Sequence, residues 1–130
     1  MAHEKIAIVD FDGTICVHKF PEVGAPEAGV REGLLKLKEL GYQIHIHSCR
    51  TATYWNRLGT KYTRAQHITM VYAFLEDNDL PYDKLILDMD KPVAELYIDD
   101  RGIGYRGSWR DVIRQARILN KDNYDINPSK

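Results

Sequence analysis

The stretch Ile6 to Ile15, IAIVDFDGTI, decides the fold and poses the first chemical question. Ile6 to Val9 is a short continuous apolar run, the pattern of a strand buried on both faces of a parallel sheet. It ends on Asp10 and Asp12, which straddle Phe11 and lead into Gly13 and Thr14. One unpaired buried carboxylate is costly, and a second two residues away raises the cost unless a cation offsets it. Which cation serves this pair, and for what purpose, is what the rest of the chain has to answer.

Outward from that strand, the two prolines and one glycine between Val17 and Pro26 predict a loop. Pro26 stands near the start of a helix with Val30, Leu34, Leu37 and Leu40 on one face and Gly41 as its stop. Gln43 to His47 reads as a second strand that ends at SCR, residues 48–50. A helix from about Lys61 to Asp77 carries Ile68, Val71, Tyr72 and Leu75 at helical spacing, with Pro81 beyond it. Lys84 to Leu87 and Leu96 to Ile98 are two further short strands. Ser108 caps a last helix with Val112, Ile113, Ala116 and Leu119 inward, and the tail from about Lys121 is expected to be loose. Strands alternating with helices predict an α/β, Rossmann-like three-layer sandwich with a mainly parallel sheet.

A chain of 130 residues with 44% hydrophobic content supports one domain, residues 1–130, with a single core. A net charge of −1 without long blocks of one sign gives no overall field toward nucleic acid or membrane. Cys16 and Cys49 are the only cysteines, and the N-terminus carries no signal-like or spanning segment. The expectation is a cytoplasmic protein with both thiols reduced. No repeat or low-complexity tract interrupts this reading.

In parallel sheets, ligands bind at the carboxyl ends of the strands. Polar residues fall at those ends here: Asp10 and Asp12, then Ser48 and Arg50, then Lys91, then Asp99 and Asp100. Carboxylates from two strand ends repel each other unless a hard cation joins them, and a few oxygen ligands with room for water suit Mg²⁺ better than zinc. Magnesium held this way completes its shell with phosphate oxygens, so a phosphorylated substrate is the natural partner. Ser48 is placed to donate to that phosphate and Lys91 to neutralise it. Gly13 permits a sharp turn and close approach of the backbone. Aspartate is a competent nucleophile, able to divide one hard hydrolysis into two easier steps.

The ordered set IVDFDGT, IHSCR, KP and YIDD resembles the four motifs of the haloacid dehalogenase superfamily of phosphohydrolases, over most of the chain. Carried across position by position, the resemblance implies Asp10 as nucleophile and Asp12 as the acid that protonates the leaving group and then activates water. It implies Ser48 as phosphate-binding hydroxyl and Lys91 as the charge that steadies the intermediate, with Gly13 and Thr14 on the substrate. Asp99 and Asp100 would hold Mg²⁺ together with Asp10 and the main-chain carbonyl of Asp12. Aspartate at position 12 resembles the phosphatases rather than the dehalogenases. Lys91 lies closer to Asp99 than the pattern has it, which leaves Lys84 as the alternative lysine. One loop and one helix between the first two motifs are too little for a cap domain, so a capless, open site is expected. KPVAELYIDDRGIGYRGSW and SCR are also similar to a small capless branch and to the phosphatase domain of phage polynucleotide kinases, where Arg50 would be a further phosphate contact.

Taken singly, these residues have plainer readings. Paired acids can be a solvated loop, Ser48 a turn residue and Lys91 a surface lysine. His45 and His47 share a strand face without an evident third ligand, which favours a hydrogen-bonded surface over a metal site. Cys49 would point away from Ser48 and Arg50 if the strand continued, and so would be packing. Arg110, Arg114 and Arg117, and Arg57, Lys61 and Arg64, read first as solvated faces and second as a nucleic-acid track. Tyr54, Trp55 and Tyr62 read as packing before base-stacking. Besides the Mg²⁺-dependent phosphatase, two classes stay open: a catalytically silent phospholigand-binding protein and a receiver-type signalling domain, whose motif order differs. Oligomeric state is not encoded in any of these signals.

Overall fold

The structure, a computed structural model, describes residues 5–88 and 93–122. The chain forms two compact units, residues 1–100 and 101–130. The first holds β1 (Lys5–Val9), α1 (Val30–Glu39), β2 (Tyr42–Ile46), α2 (Arg64–Asp77), β3 (Lys84–Leu85) and β4 (Leu96–Ile98). The second holds α3 (Trp109–Asp122), with Ser108 Oγ accepting from the Asp111 N–H at 3.2 Å. The protein is an α/β, Rossmann-like fold with a four-stranded parallel sheet in the order β3-β2-β1-β4.

β1 is central, as its unbroken apolar run requires. Ala7 and Val9 face the core with Ile44 and Ile46 of β2 and Leu85 of β3, against Leu34 of α1 and Val71 and Leu75 of α2. Ile8, on the opposite face, is buried as well. Each of the Val, Leu and Ile side chains contributes about 1.5–3 kcal/mol on leaving water. This core therefore anchors the strand whose end carries the aspartates.

Several boundaries differ from the sequence expectation. Pro26 starts no helix. It sits in an isolated antiparallel bridge to Cys16, because the Val17 N–H bonds Ala25 O at 2.7 Å and the Glu27 N–H bonds Ile15 O at 2.9 Å. α1 begins instead after Gly29, which is left-handed at φ 77°. α2 begins at Arg64, set by a capping box in which Thr63 and Gln66 satisfy each other's backbone N–H groups. α3 continues through Asp122, past the expected start of a loose tail. Residues 10–29 contain turns and isolated bridges, and 47–63 contain two short 3₁₀ turns, Cys49–Thr51 and Thr53–Asn56. Neither segment holds a cap domain. No helix among the described residues is long and apolar enough to cross a membrane.

Candidate active site

The strand order places the site. Connections from β1 run through β2 to β3 on one side, whereas β4 lies on the other side of β1. The order therefore reverses between β1 and β4, and a crevice forms outside the carboxyl ends at such a switch point. The register pairs Val9 with both Ile46 and Ile98. The Asp10 N–H then bonds Ile98 O at 2.8 Å, and the His47 N–H bonds Val9 O at 3.0 Å. Asp10 is thereby set level with His47 on one side and Asp99 on the other.

Asp100 lies against Asp10 and beneath the turn at Gly13. That glycine has φ 81°, and a Cβ built on it would meet Asp100 Oδ2 at 2.2 Å, so only glycine fits. Both oxygens of Asp100 are buried without a hydrogen-bond donor among the described residues. Burial and the adjacent Asp100 carboxylate push the Asp10 carboxyl up to about 8, against the lowering effect of the Phe11 backbone N–H. Two facing carboxylates of this kind are both acceptors when ionised, which calls for a shared proton or a cation. No group of three or more His, Cys, Asp or Glu side chains is placed to hold a metal among the described residues. Two carboxylates are nevertheless a sufficient protein contribution for magnesium, which keeps several waters and takes phosphate oxygens. The orphaned oxygens of Asp100 fit that ion.

Asp12 is in a different situation. Arg50 Nε donates to Asp12 Oδ2 at 2.8 Å, and Arg50 Nη2 donates to Oδ1 at 2.8 Å. Arg50 is fully buried and the Asp12 side chain is 9% exposed. The remaining Arg50 N–H groups go to Pro21 O at 2.9 Å, Glu22 O at 2.7 Å and His67 Nδ1 at 3.1 Å. All five guanidinium donors are thus used within the protein. Arg50 has none left for a phosphate, which corrects the expectation that it contacts substrate. The Asp12 carboxylate likewise needs no external cation.

The Ser48 Oγ accepts from the Arg50 backbone N–H at 3.1 Å and caps the first 3₁₀ turn. A hydroxyl that accepts there still has its own proton to donate. Ser48, Asp10 and Asp99 line one cavity of about 380 Å³, together with His47, Cys49 and Tyr97. Cys49 is exposed in that lining instead of packed inside, because the strand ends at Ile46 and the chain turns into a 3₁₀ helix, removing the alternation on which the packing expectation relied. Thr14 Oγ1 is buried with no hydrogen-bond partner among the described residues. Lys91 lies outside the described residues. Lys84 pairs with His45 on the edge strand β3, is exposed, and does not line the cavity.

The basic residues near α2 are committed to intramolecular contacts. Arg57 stacks on Tyr54 at 3.7 Å, Lys61 pairs with Glu22 at 2.5 Å, and Arg64 donates to Thr51 O and Leu87 O. In the second unit Arg114 pairs with Asp111. Among the aromatic residues, Trp55 donates through Nε1 to Cys49 O at 2.8 Å, and Tyr62 donates to Glu22 Oε1 at 2.6 Å. His67 escaped the sequence reading because a histidine within a helix carries no motif of its own; only its neighbours in space mark it.

No protein-family profile and no curated protein matches the chain. Among solved structures it is similar to a conserved protein from Bacteroides thetaiotaomicron, at 21% identity and a TM-score of 0.58 over 90% of this chain and 93% of that one. It is also similar to a protein from Vibrio cholerae, at 27% identity and a TM-score of 0.48 over 90% of this chain and 99% of the other. The first likeness shows the fold alone.

Proposed function

We propose that this protein is a capless, magnesium-dependent phosphatase of the haloacid dehalogenase type, hydrolysing a phosphomonoester through an aspartyl-phosphate on Asp10. The observation that carries the reading is the Asp10–Asp100 pair at the switch point: two abutting carboxylates, of which Asp100 has no donor among the described residues, beneath a turn that only glycine permits. Asp10 and Asp100 would hold the ion, with Asp99 lining the same cavity as Asp10. Magnesium, when bound, supplies positive charge to phosphoryl oxygens and keeps both carboxylates ionised.

The chain's own groups divide the remaining work. Asp10 attacks phosphorus from the end of a central, buried strand, so its position is held by the core. Ser48 donates its hydroxyl proton to a phosphoryl oxygen while its oxygen stays on the Arg50 N–H. Asp12 relays a proton from the phosphoryl group of the monoester to the departing oxygen, and later takes one from the attacking water and passes it to the released phosphate. Among the described residues, Oδ1 accepts from Arg50 and, weakly, from Cys16 Sγ at 3.9 Å, whereas Oδ2 accepts from Arg50 alone and keeps a lone pair for that transfer. Cytoplasmic placement and a phosphorylated substrate of open size, including a nucleotide, a sugar phosphate or a nucleic-acid end, belong to the same proposal.

The test is hydrolysis of an aryl phosphate by purified protein with magnesium, with chelator, and by Asp10→Asn. Magnesium-dependent turnover that vanishes in the variant is expected. Turnover that survives Asp10→Asn removes Asp10 from the mechanism, and folded protein that binds phosphate without turnover points to the silent binder.

A further inference from the structure

We infer that His67 is a positioning residue that acts through Arg50 to orient the Asp12 carboxylate, an inference that rests on the phosphatase reading only for its kinetic consequence. Arginine has no acceptor, so the 3.1 Å contact between Arg50 Nη1 and His67 Nδ1 assigns the roles: Nδ1 accepts, and the ring is neutral with its proton on Nε2. Burial, and next the Arg50 charge, hold His67 below the ordinary histidine range, in keeping with that assignment.

The ring is itself held on several sides. It stacks on Phe20 with centroids 5.4 Å apart and planes 13° apart, and it meets Trp55 at 5.2 Å and Tyr62 edge-on at 5.6 Å. Phe20 belongs to the loop that also presents the Pro21 and Glu22 carbonyls to Arg50. The Glu22 carboxylate ties that loop back to Lys61 and Tyr62, just ahead of α2. The guanidinium is therefore fixed from three directions: by the loop carbonyls, by Asp12 and by α2 through His67. Two N–H···O bonds to Asp12 have a defined plane only if the guanidinium plane is defined. Removing the His67 acceptor leaves one buried N–H unpaired and takes away the hold from α2, so the plane is restrained less tightly by the four bonds that remain.

Two variants separate this role from mere packing. His67→Phe keeps a ring against Phe20 and removes the acceptor; His67→Asn removes the ring and offers a side-chain acceptor near the Nδ1 position. In wild type, nitrogen-15 spectra should show an unprotonated Nδ1 and a protonated Nε2, and a sharp, slowly exchanging Arg50 Nε–H signal. His67→Phe should lose that signal and lower kcat on aryl phosphate by roughly tenfold to a hundredfold with KM nearly unchanged, the size of a small misplacement of a reacting group. His67→Asn should recover much of both. A His67→Phe protein that keeps the Arg50 signal and the wild-type kcat overturns the inference, as does a His67→Asn protein impaired as deeply as His67→Phe. If wild type hydrolyses no phosphate ester, the phosphatase reading fails, and the nitrogen-15 signals still decide whether His67 orients Arg50.

Discussion

Asp10 and Asp12 are two residues apart at the end of one strand, yet the protein treats them oppositely. Asp12 meets a cation of the chain's own making, Arg50, whose five donors are all satisfied. Asp10 meets another carboxylate, Asp100, whose oxygens have no donor among the described residues. A polar cluster completed from within stiffens its surroundings, and one left incomplete marks where something from outside is needed. The question posed by IAIVDFDGTI thus has two answers, an internal arginine for one aspartate and, in the proposed reading, an external cation for the other.

That contrast can be broken most directly at Asp10. Replacing it by asparagine should lower turnover by about a thousandfold or more, the scale for loss of a nucleophile. The same change should raise the melting temperature of chelator-treated protein, because the new amide donates to Asp100. A chelated variant that melts below wild type would mean the pair is not repulsive. On the other side, Arg50→Met strips Asp12 of its partner and should cost about 3–5 kcal/mol in urea unfolding, the usual penalty for leaving a buried charge alone. Stability within 1 kcal/mol of wild type, an order-of-magnitude threshold for a lost pair, would show that the pair is dispensable.

Titration sharpens the comparison. The folded-state value of Asp10 lies above its ordinary 3.8, at about 8. Its contribution to stability is thus present below the unfolded value and lost as pH rises from about 4 through about 8 in metal-free protein. His67 is shifted downward, so its contribution is present above the ordinary 6.5 and lost as pH falls through the lower folded value. Melting curves in chelator should therefore fall with rising pH, and magnesium should reverse that fall. Asp10→Asn should leave only the opposite, His67-dependent slope. Melting temperatures indifferent to pH in both proteins would contradict both assignments.

A carboxylate away from the site sets the scale for the smallest effect. Asp83 is opposed by burial, but Lys38 at 2.7 Å and the Ile44 N–H at 2.7 Å outweigh that and hold its carboxyl below the ordinary range. The pair is about one-third exposed, so Asp83→Asn should cost only about 1 kcal/mol in urea unfolding and leave turnover unchanged. A loss as large as that of Arg50→Met would erase the distinction between buried and half-exposed pairing.

Much of this was legible in the residue order. The apolar run 6–9, the alternation of helices with strands, and acidic residues at successive strand ends together required a parallel sheet with a polar carboxyl edge. The sequence by itself thus determined the strand that carries Asp10 and the placing of acidic residues at two strand ends, since periodicity and strand-end position are local properties. Only the tertiary structure decided that Arg50 turns inward to Asp12 instead of outward to a ligand, that Cys49 faces the cavity, and that His67 closes the arginine's donor set. Those outcomes depend on where β2 stops, at Ile46, and on how the 20–22 loop and α2 meet around one guanidinium. Such donor–acceptor matching between residues 17 to 38 positions apart leaves no period or motif in the chain.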